Sequence, residues 1–178
     1  MSDKDHLVVK PYDEEAPKKF EAAQAFLLGL IPFPIHIEHM GSSSVPGLGG
    51  KSVIDVMILC EKARMYEVVQ AIVSAGYKFN PAEGFGTFPE RYFISGWFPY
   101  RDGRFHVHYH ITFPGSEEHR GKLLFRDYLR KHADVAQQYY DLKSKHCIID
   151  GEHVTFLPLD KDPFVVDVVE KARQELQK

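Results

Sequence analysis

The chain of 178 residues is 44% hydrophobic and 26% charged with a formal net charge of -3, enough apolar material for one substantial core and a composition typical of globular proteins. The mild acidity supplies no bulk attraction for nucleic acid or anionic membrane, so non-specific nucleic-acid binding is not expected. No apolar run approaches the roughly 20 residues that span a bilayer, and Met1 to Lys10 lacks the apolar centre of a signal peptide, so a cytoplasmic location is expected.

After an extended Leu7-Val8-Val9 segment, Asp13 is a candidate N-cap, and Phe20, Ala23, Phe26, Leu27 and Leu30 follow at helical spacing, predicting a helix over roughly 14–29. Pro32 and Pro34 stop it, and Ile35 to Met40 alternates as a strand does. A glycine- and serine-rich turn runs from Gly41 to Gly50. Val53 to Leu59 is an apolar strand carrying one charge, Asp55, and ends at Cys60. Cys60 and Cys147 are too isolated for a disulfide framework or a paired metal motif and read as reduced, structural thiols. Ala63 to Ala75 reads as a helix closed by Gly76. Tyr77 to Asn80 and Arg91 to Trp97 read as short strands around a loop with Gly84 and Gly86, and Phe105 to Phe113 is a clear alternating strand. Helical patterns follow from Glu117, with Leu123, Leu124, Tyr128 and Leu129 on one stripe, and from Val135 to His146; Asp150-Gly151 breaks them, and Pro163 opens a last helix. Repeats and low-complexity linkers are absent from the sequence, so one domain over residues 1–178 is expected.

Successive side chains of a strand point to opposite faces. Ile54, Val56 and Ile58 thus oppose Val53, Asp55 and Met57; Phe105, Val107, Tyr109 and Ile111 oppose His106, His108 and His110; Ile35 and Ile37 oppose His36, Glu38 and Met40. If helices cover the apolar sets, Glu38, Asp55 and the histidine row share the uncovered face. Carboxylates beside imidazoles are ligands for a divalent cation that could bridge phosphate oxygens, and the Gly41-Ser42-Ser43-Ser44 turn offers amides and hydroxyls to a phosphate. Plainer readings stand beside these. The turn residues suit turns for conformational reasons alone, the histidines can be the wet face of an amphipathic strand, and Arg126 and Arg130 can be a solvated helix face or a clamp on phosphate.

The stretch Ile37-Glu38-His39-Met40-Gly41-Ser42-Ser43-Ser44-Val45-Pro46-Gly47, followed by Lys51-Ser52-Val53-Ile54-Asp55, resembles the signature of the GrpB family, and Phe125-Arg126-Asp127-Tyr128-Leu129-Arg130 matches that family's FRDYLR segment. Weaker agreements at Pro11-Tyr12-Asp13, Arg91, Phe93, His108-Tyr109-His110 and Lys161 to Val165 extend the resemblance over nearly the whole chain. It implies an α+β, nucleotidyltransferase-like fold, a mixed β-sheet covered by helices on one face with additional C-terminal helices. It also implies a nucleotide or phosphorylated ligand, possible nucleotidyl transfer and possible Mg2+. Asp55, Glu38 and His108 are then the catalytic candidates. Gly41, Ser42, Ser43, Lys51, Arg126 and Arg130 are the phosphate-binding set, and Asp55, Glu38, His108 and His110 the metal ligands. Met57 stands where the wider fold has its second metal-binding carboxylate, which puts the two-magnesium scheme in doubt. A degenerate nucleotide-binding or accessory module, or a histidine-rich hydrolase using a transition metal such as Zn2+, are the alternatives.

Overall fold

The computed structural model describes residues 8–79, 90–145, 147–150, 153–156 and 161–177. In chain order its elements are β1 (Val9–Lys10), α1 (Ala16–Leu30), β2 (His36–Met40), β3 (Gly50–Lys51), β4 (Val53–Leu59), α2 (Met65–Ser74), β5 (Tyr92–Tyr100), β6 (Gly103–Thr112), α3 (Glu117–Lys131), α4 (Ala133–Lys145), β7 (Cys147–Asp150), β8 (His153–Phe156) and α5 (Lys161–Glu175). Short 3-10 turns at Ser42–Ser44 and Lys62–Arg64 precede β3 and α2.

The central sheet has the order β2-β4-β6-β5, with β4 and β6 parallel and the outer pairs antiparallel. One face buries Ile37, Ile54, Val56, Ile58, Val107, Tyr109 and Ile111 against Leu27 of α1 and Val68, Val69 and Ile72 of α2. This is the face that alternation assigns to the core. Asp13 anchors the start of α1, its backbone carbonyl accepting from Ala16 and its side chain from the Glu15 amide. The helix ends where Ile31 turns extended ahead of Pro32.

A second apolar cluster joins Phe125 and Leu129 of α3, Ala136 and Tyr139 of α4, and Val168 and Val169 of α5 to Val45 and Leu48. The apolar residues after the serine turn are therefore its anchor in the C-terminal helices. α3 starts cleanly because the Ser116 side chain accepts from the His119 amide and acidic Glu117 and Glu118 occupy the first turn.

Several elements differ from the sequence expectation. Tyr77 to Phe79 form only a bridge, Lys78 to Ser95, and Asn80, Gly84 and Gly86 lie outside the described residues. β5 runs on through Pro99 to Tyr100, which an edge strand tolerates because a proline there leaves no ladder bond unmade inside the sheet. Arg101 and Asp102 then turn directly into β6. The pairs β1 with β3 and β7 with β8 were not anticipated; their two- and four-residue strands are too short to show a period.

Candidate functional site

Strand register lays out the face opposite α1 and α2 in rows, and this face is not uncovered as the sequence suggests: Met40, Val53, Met57, His106 and His110 are buried, while Asp55 and His108 stay partly exposed. Asp55 pairs with Met40 on one side and His108 on the other, while Met57 pairs with Glu38 and His110. Asp55 Oδ1 lies 3.2 Å from His108 Nδ1 and 3.4 Å from His110 Nε2. The Phe93 ring meets both imidazoles edge-on, with centroids 5.0 and 5.1 Å away, and limits their rotation. Burial opposes ionisation of the Asp55 carboxyl, but hydrogen bonding to His108 and His110 outweighs it and holds the group far below the usual carboxylate range.

The serine turn reaches this carboxylate through Gly41. Its φ of 72° and ψ of -175° belong to glycine, and a methyl group built there would overlap Asp55 Oδ2. The turn is held by the Ser44 amide on the Gly41 carbonyl at 3.2 Å, the Val45 amide on the Ser42 carbonyl at 3.1 Å, and the Ser44 hydroxyl on the Gly41 carbonyl at 2.6 Å. His39 stacks flat on Phe20 with centroids 4.5 Å apart and places Nε2 3.1 Å from the Ser43 hydroxyl.

Burial pushes the His39 imidazole down to about 4, with Arg130 and Arg126 adding to the effect against the attraction of Asp55. The unfolded chain takes up this proton near the ordinary value of 6.5 while the folded chain resists to about 4. Stability is therefore lost as pH falls through that window. Urea unfolding at pH 7 and pH 4.5 should differ by about 2–3 kcal/mol through His39, and a His39→Gln variant should lose that part of the difference.

The arginines expected to clamp phosphate both bond groups of the protein, Arg126 nearly buried and Arg130 still 40% exposed. Arg126 Nη1 donates to Glu38 Oε2 at 2.8 Å and to the His39 carbonyl at 2.9 Å, and its other nitrogens bond Asp127. Arg130 donates twice to the Ser44 carbonyl, at 3.0 and 2.7 Å. Together they fasten α3 to β2 and to the serine turn. Glu38 also bonds His36 at 2.7 Å. Burial opposes its ionisation, but Arg126 and His36 hold it below the usual range. It lies across Met57 from His110, and the ligand-forming group among the described residues is Asp55, His108 and His110, without Glu38. Lys51 in β3 lines, with Lys19, Ser42 and Ser43, a cavity of about 30 Å³. That volume admits about one water. A wider groove of about 740 Å³ opens on another flank, between Tyr12, Pro46, Arg130, Gln137 and Tyr140.

Met57 has no exposure and packs with Met40 and Leu59. Restoring a second carboxylate by Met57→Asp should therefore destabilise the fold by several kcal/mol, on the order of 3, read as a lower urea midpoint.

Sequence reasoning gave no role to Glu118 or Arg91. Glu118, in the first turn of α3, accepts from Arg91 at 2.8 Å and lies 3.5 Å from His110 Nδ1. Burial opposes its ionisation, but hydrogen bonding to His110 and the charges of Lys122 and Arg91 lower its carboxyl to about 2. Arg91 belongs to the family resemblance, whereas nothing but a helix start marks Glu118. Cys60 is buried and its thiol is pushed up to about 11, in keeping with a structural role. The side chain of Cys147 lies outside the described residues.

A four-stranded mixed sheet packed with helices gives the chain a nucleotidyltransferase-like fold. Cid1 poly(U) polymerase in complex with the UTP analogue UMPNPP superposes with a TM-score of 0.54 at 16% identity, over 89% of this chain and 49% of that one. The crystal structure of conserved protein GrpB from Enterococcus faecalis superposes with a TM-score of 0.73 at 24% identity, over 96% of this chain and all of that one. The family model described as GrpB protein matches residues 6–171, and the chain belongs to the GrpB family. It is 35% identical to the UPF0157 protein PA4798 of Pseudomonas aeruginosa over 80% of this chain and 57% of that protein, and 31% identical to the UPF0157 protein YqkA of Bacillus subtilis over 92% and 46%. The chain thus spans about half the length of these two relatives. Among the described residues no helix is long and apolar enough to cross a membrane.

Proposed function

We propose that the chain binds a nucleotide or another phosphorylated ligand against the Gly41–Ser44 turn, with the phosphate beside Asp55, and acts on that phosphate by nucleotidyl transfer. The observation that carries this reading is the contact between Gly41 and the Asp55 carboxylate, which puts the turn and the charged cluster within reach of one ligand. The amides of Ser42 and Ser43 open a helical turn, where no carbonyl of that turn can take them, and a phosphate is a suitable acceptor. The fold likeness to Cid1, whose structure is described in complex with a UTP analogue, supports a nucleotide as the ligand.

The two magnesium ions of the wider fold do not fit these residues. Asp55 is the single carboxylate of the cluster, Met57 offers a buried thioether, and Glu38 is taken by Arg126 and His36. The chain's own contribution is to seat the phosphate and exclude misaligned poses. Met57 also favours a second reading, a cleft that keeps the ligand without turnover.

Calorimetric titration with nucleoside triphosphates, with and without a divalent cation and paired with a pyrophosphate assay, tests both. With the divalent cation present wild-type protein should bind, and Asp55→Asn should bind at least about 10-fold more weakly, or 1.4 kcal/mol, with a native circular-dichroism spectrum as the folding control. Binding without pyrophosphate release selects the second reading. Absence of binding by any triphosphate overturns both.

A further inference from the structure

The donor set that defeats a two-magnesium scheme suits another class of cation. We propose that Asp55, His108 and His110 bind one divalent transition metal ion that prefers nitrogen ligands, with Zn2+ and Co2+ as its probes, and that the remaining coordination position faces the serine turn. The proposal rests on the reading above for the phosphate that would take that position, but not for the metal itself.

Three observations carry it. The first is spacing. The Asp55 oxygen stands 3.2 and 3.4 Å from the two imidazole nitrogens. A charge-assisted N–H to carboxylate bond closes to about 2.7–2.9 Å, so these contacts are long for simple ion pairs. Ligand atoms about 2.0–2.1 Å from a tetrahedral ion stand roughly 3.3–3.4 Å apart.

The second is chemistry. Two imidazoles and one carboxylate form a set that zinc, cobalt and their neighbours accept, whereas magnesium calls for oxygen. Asp55 supplies the negative charge, and the side chains of Asp55 and His108 are 22% and 28% exposed, so an ion has a path in.

The third is the support behind His110. Its Nε2 faces Asp55, and its Nδ1 faces the Glu118 carboxylate at 3.5 Å and Arg91 Nη1 at 3.4 Å. Of those two neighbours the carboxylate alone can accept a proton bond. A proton kept on Nδ1 by Glu118 leaves the Nε2 lone pair for a metal, which is the role that carboxylates play behind ligating histidines. Glu118 is thus a positioning residue, itself held by Arg91 at 2.8 Å and buried to 10% exposure.

Metal-free protein titrated with Zn2+, Co2+ or Mg2+ in the absence of nucleotide tests the proposal. One equivalent of Zn2+ should bind at least about 100-fold more tightly than Mg2+, and Co2+ should develop the intense visible bands of a low-coordinate nitrogen and oxygen site. His108→Ala and His110→Ala should each remove the cobalt bands. Glu118→Gln should weaken Zn2+ by about 10–100-fold without moving the stoichiometry, and His36→Ala, on the exposed rim, should leave both unchanged. Zn2+ binding no tighter than Mg2+, or cobalt bands that persist in both histidine variants, overturns the proposal. The wild-type spectrum decides even where a variant fails to fold. Triphosphate binding without a zinc site sinks this inference alone, and a zinc site without triphosphate binding sinks only the ligand reading.

Discussion

Alanine in place of Gly41 should lower the melting temperature by roughly 10 °C and abolish ligand binding together. The φ of 72° with ψ of -175° lies in a region open essentially to glycine, and forcing another residue there costs about 1–3 kcal/mol. The added methyl also overlaps Asp55 Oδ2, and the carboxylate cannot easily retreat because His108 and His110 flank its other oxygen. A combined cost of about 3–4 kcal/mol corresponds to that shift at this chain length, where each kcal/mol moves the midpoint by about 2–4 °C. Thermal unfolding followed by circular dichroism, paired with the triphosphate and zinc titrations, reads both effects. A variant that melts normally and binds normally would show that the turn does not press on Asp55.

Arg126→Ala should cost about 3 kcal/mol in urea unfolding. The guanidinium is 10% exposed and bonds Glu38, the His39 carbonyl and Asp127, so its removal leaves the half-buried Glu38 carboxylate without its strongest partner. It also loosens α3 from the strand that leads into the serine turn. The double variant Arg126→Met with Glu38→Leu should recover much of the loss, because an apolar pair needs no charge compensation. If Arg126 instead served only a bound phosphate, the single variant would keep its urea midpoint and lose affinity alone.

The face assignment was legible in the sequence because strand alternation is a local rule. Ile54, Val56, Val107 and Tyr109 pack under α1 and α2, and Asp55, His108 and His110 lie on the opposite face, as their spacing dictates. The family resemblance, carried by the segment around Glu38 to Asp55 and by Phe125 to Arg130, was equally readable, and the family model bears it out. Arg126 and Arg130 show where local reading stops. Their spacing on one side of α3 is visible in the sequence, but whether they meet a ligand or the protein depends on where α3 docks. Here it docks so that Glu38 and the Ser44 carbonyl take them.

Glu38 fails as a neighbour of Asp55 for a related reason. Sharing a face is a period-two property, while adjacency depends on register, and the register sets Met57 between Glu38 and His110. Glu118 and Arg91 left no local trace of their partnership with His110, since 27 residues separate them from each other. The sequence by itself determined which side chains could share the face opposite the core and that a glycine-serine turn adjoins it, because both follow from short-range geometry. Only the tertiary structure decided that Asp55, His108 and His110 converge while Glu38 is taken by Arg126, because strand register and helix docking are set by the packing of the whole core.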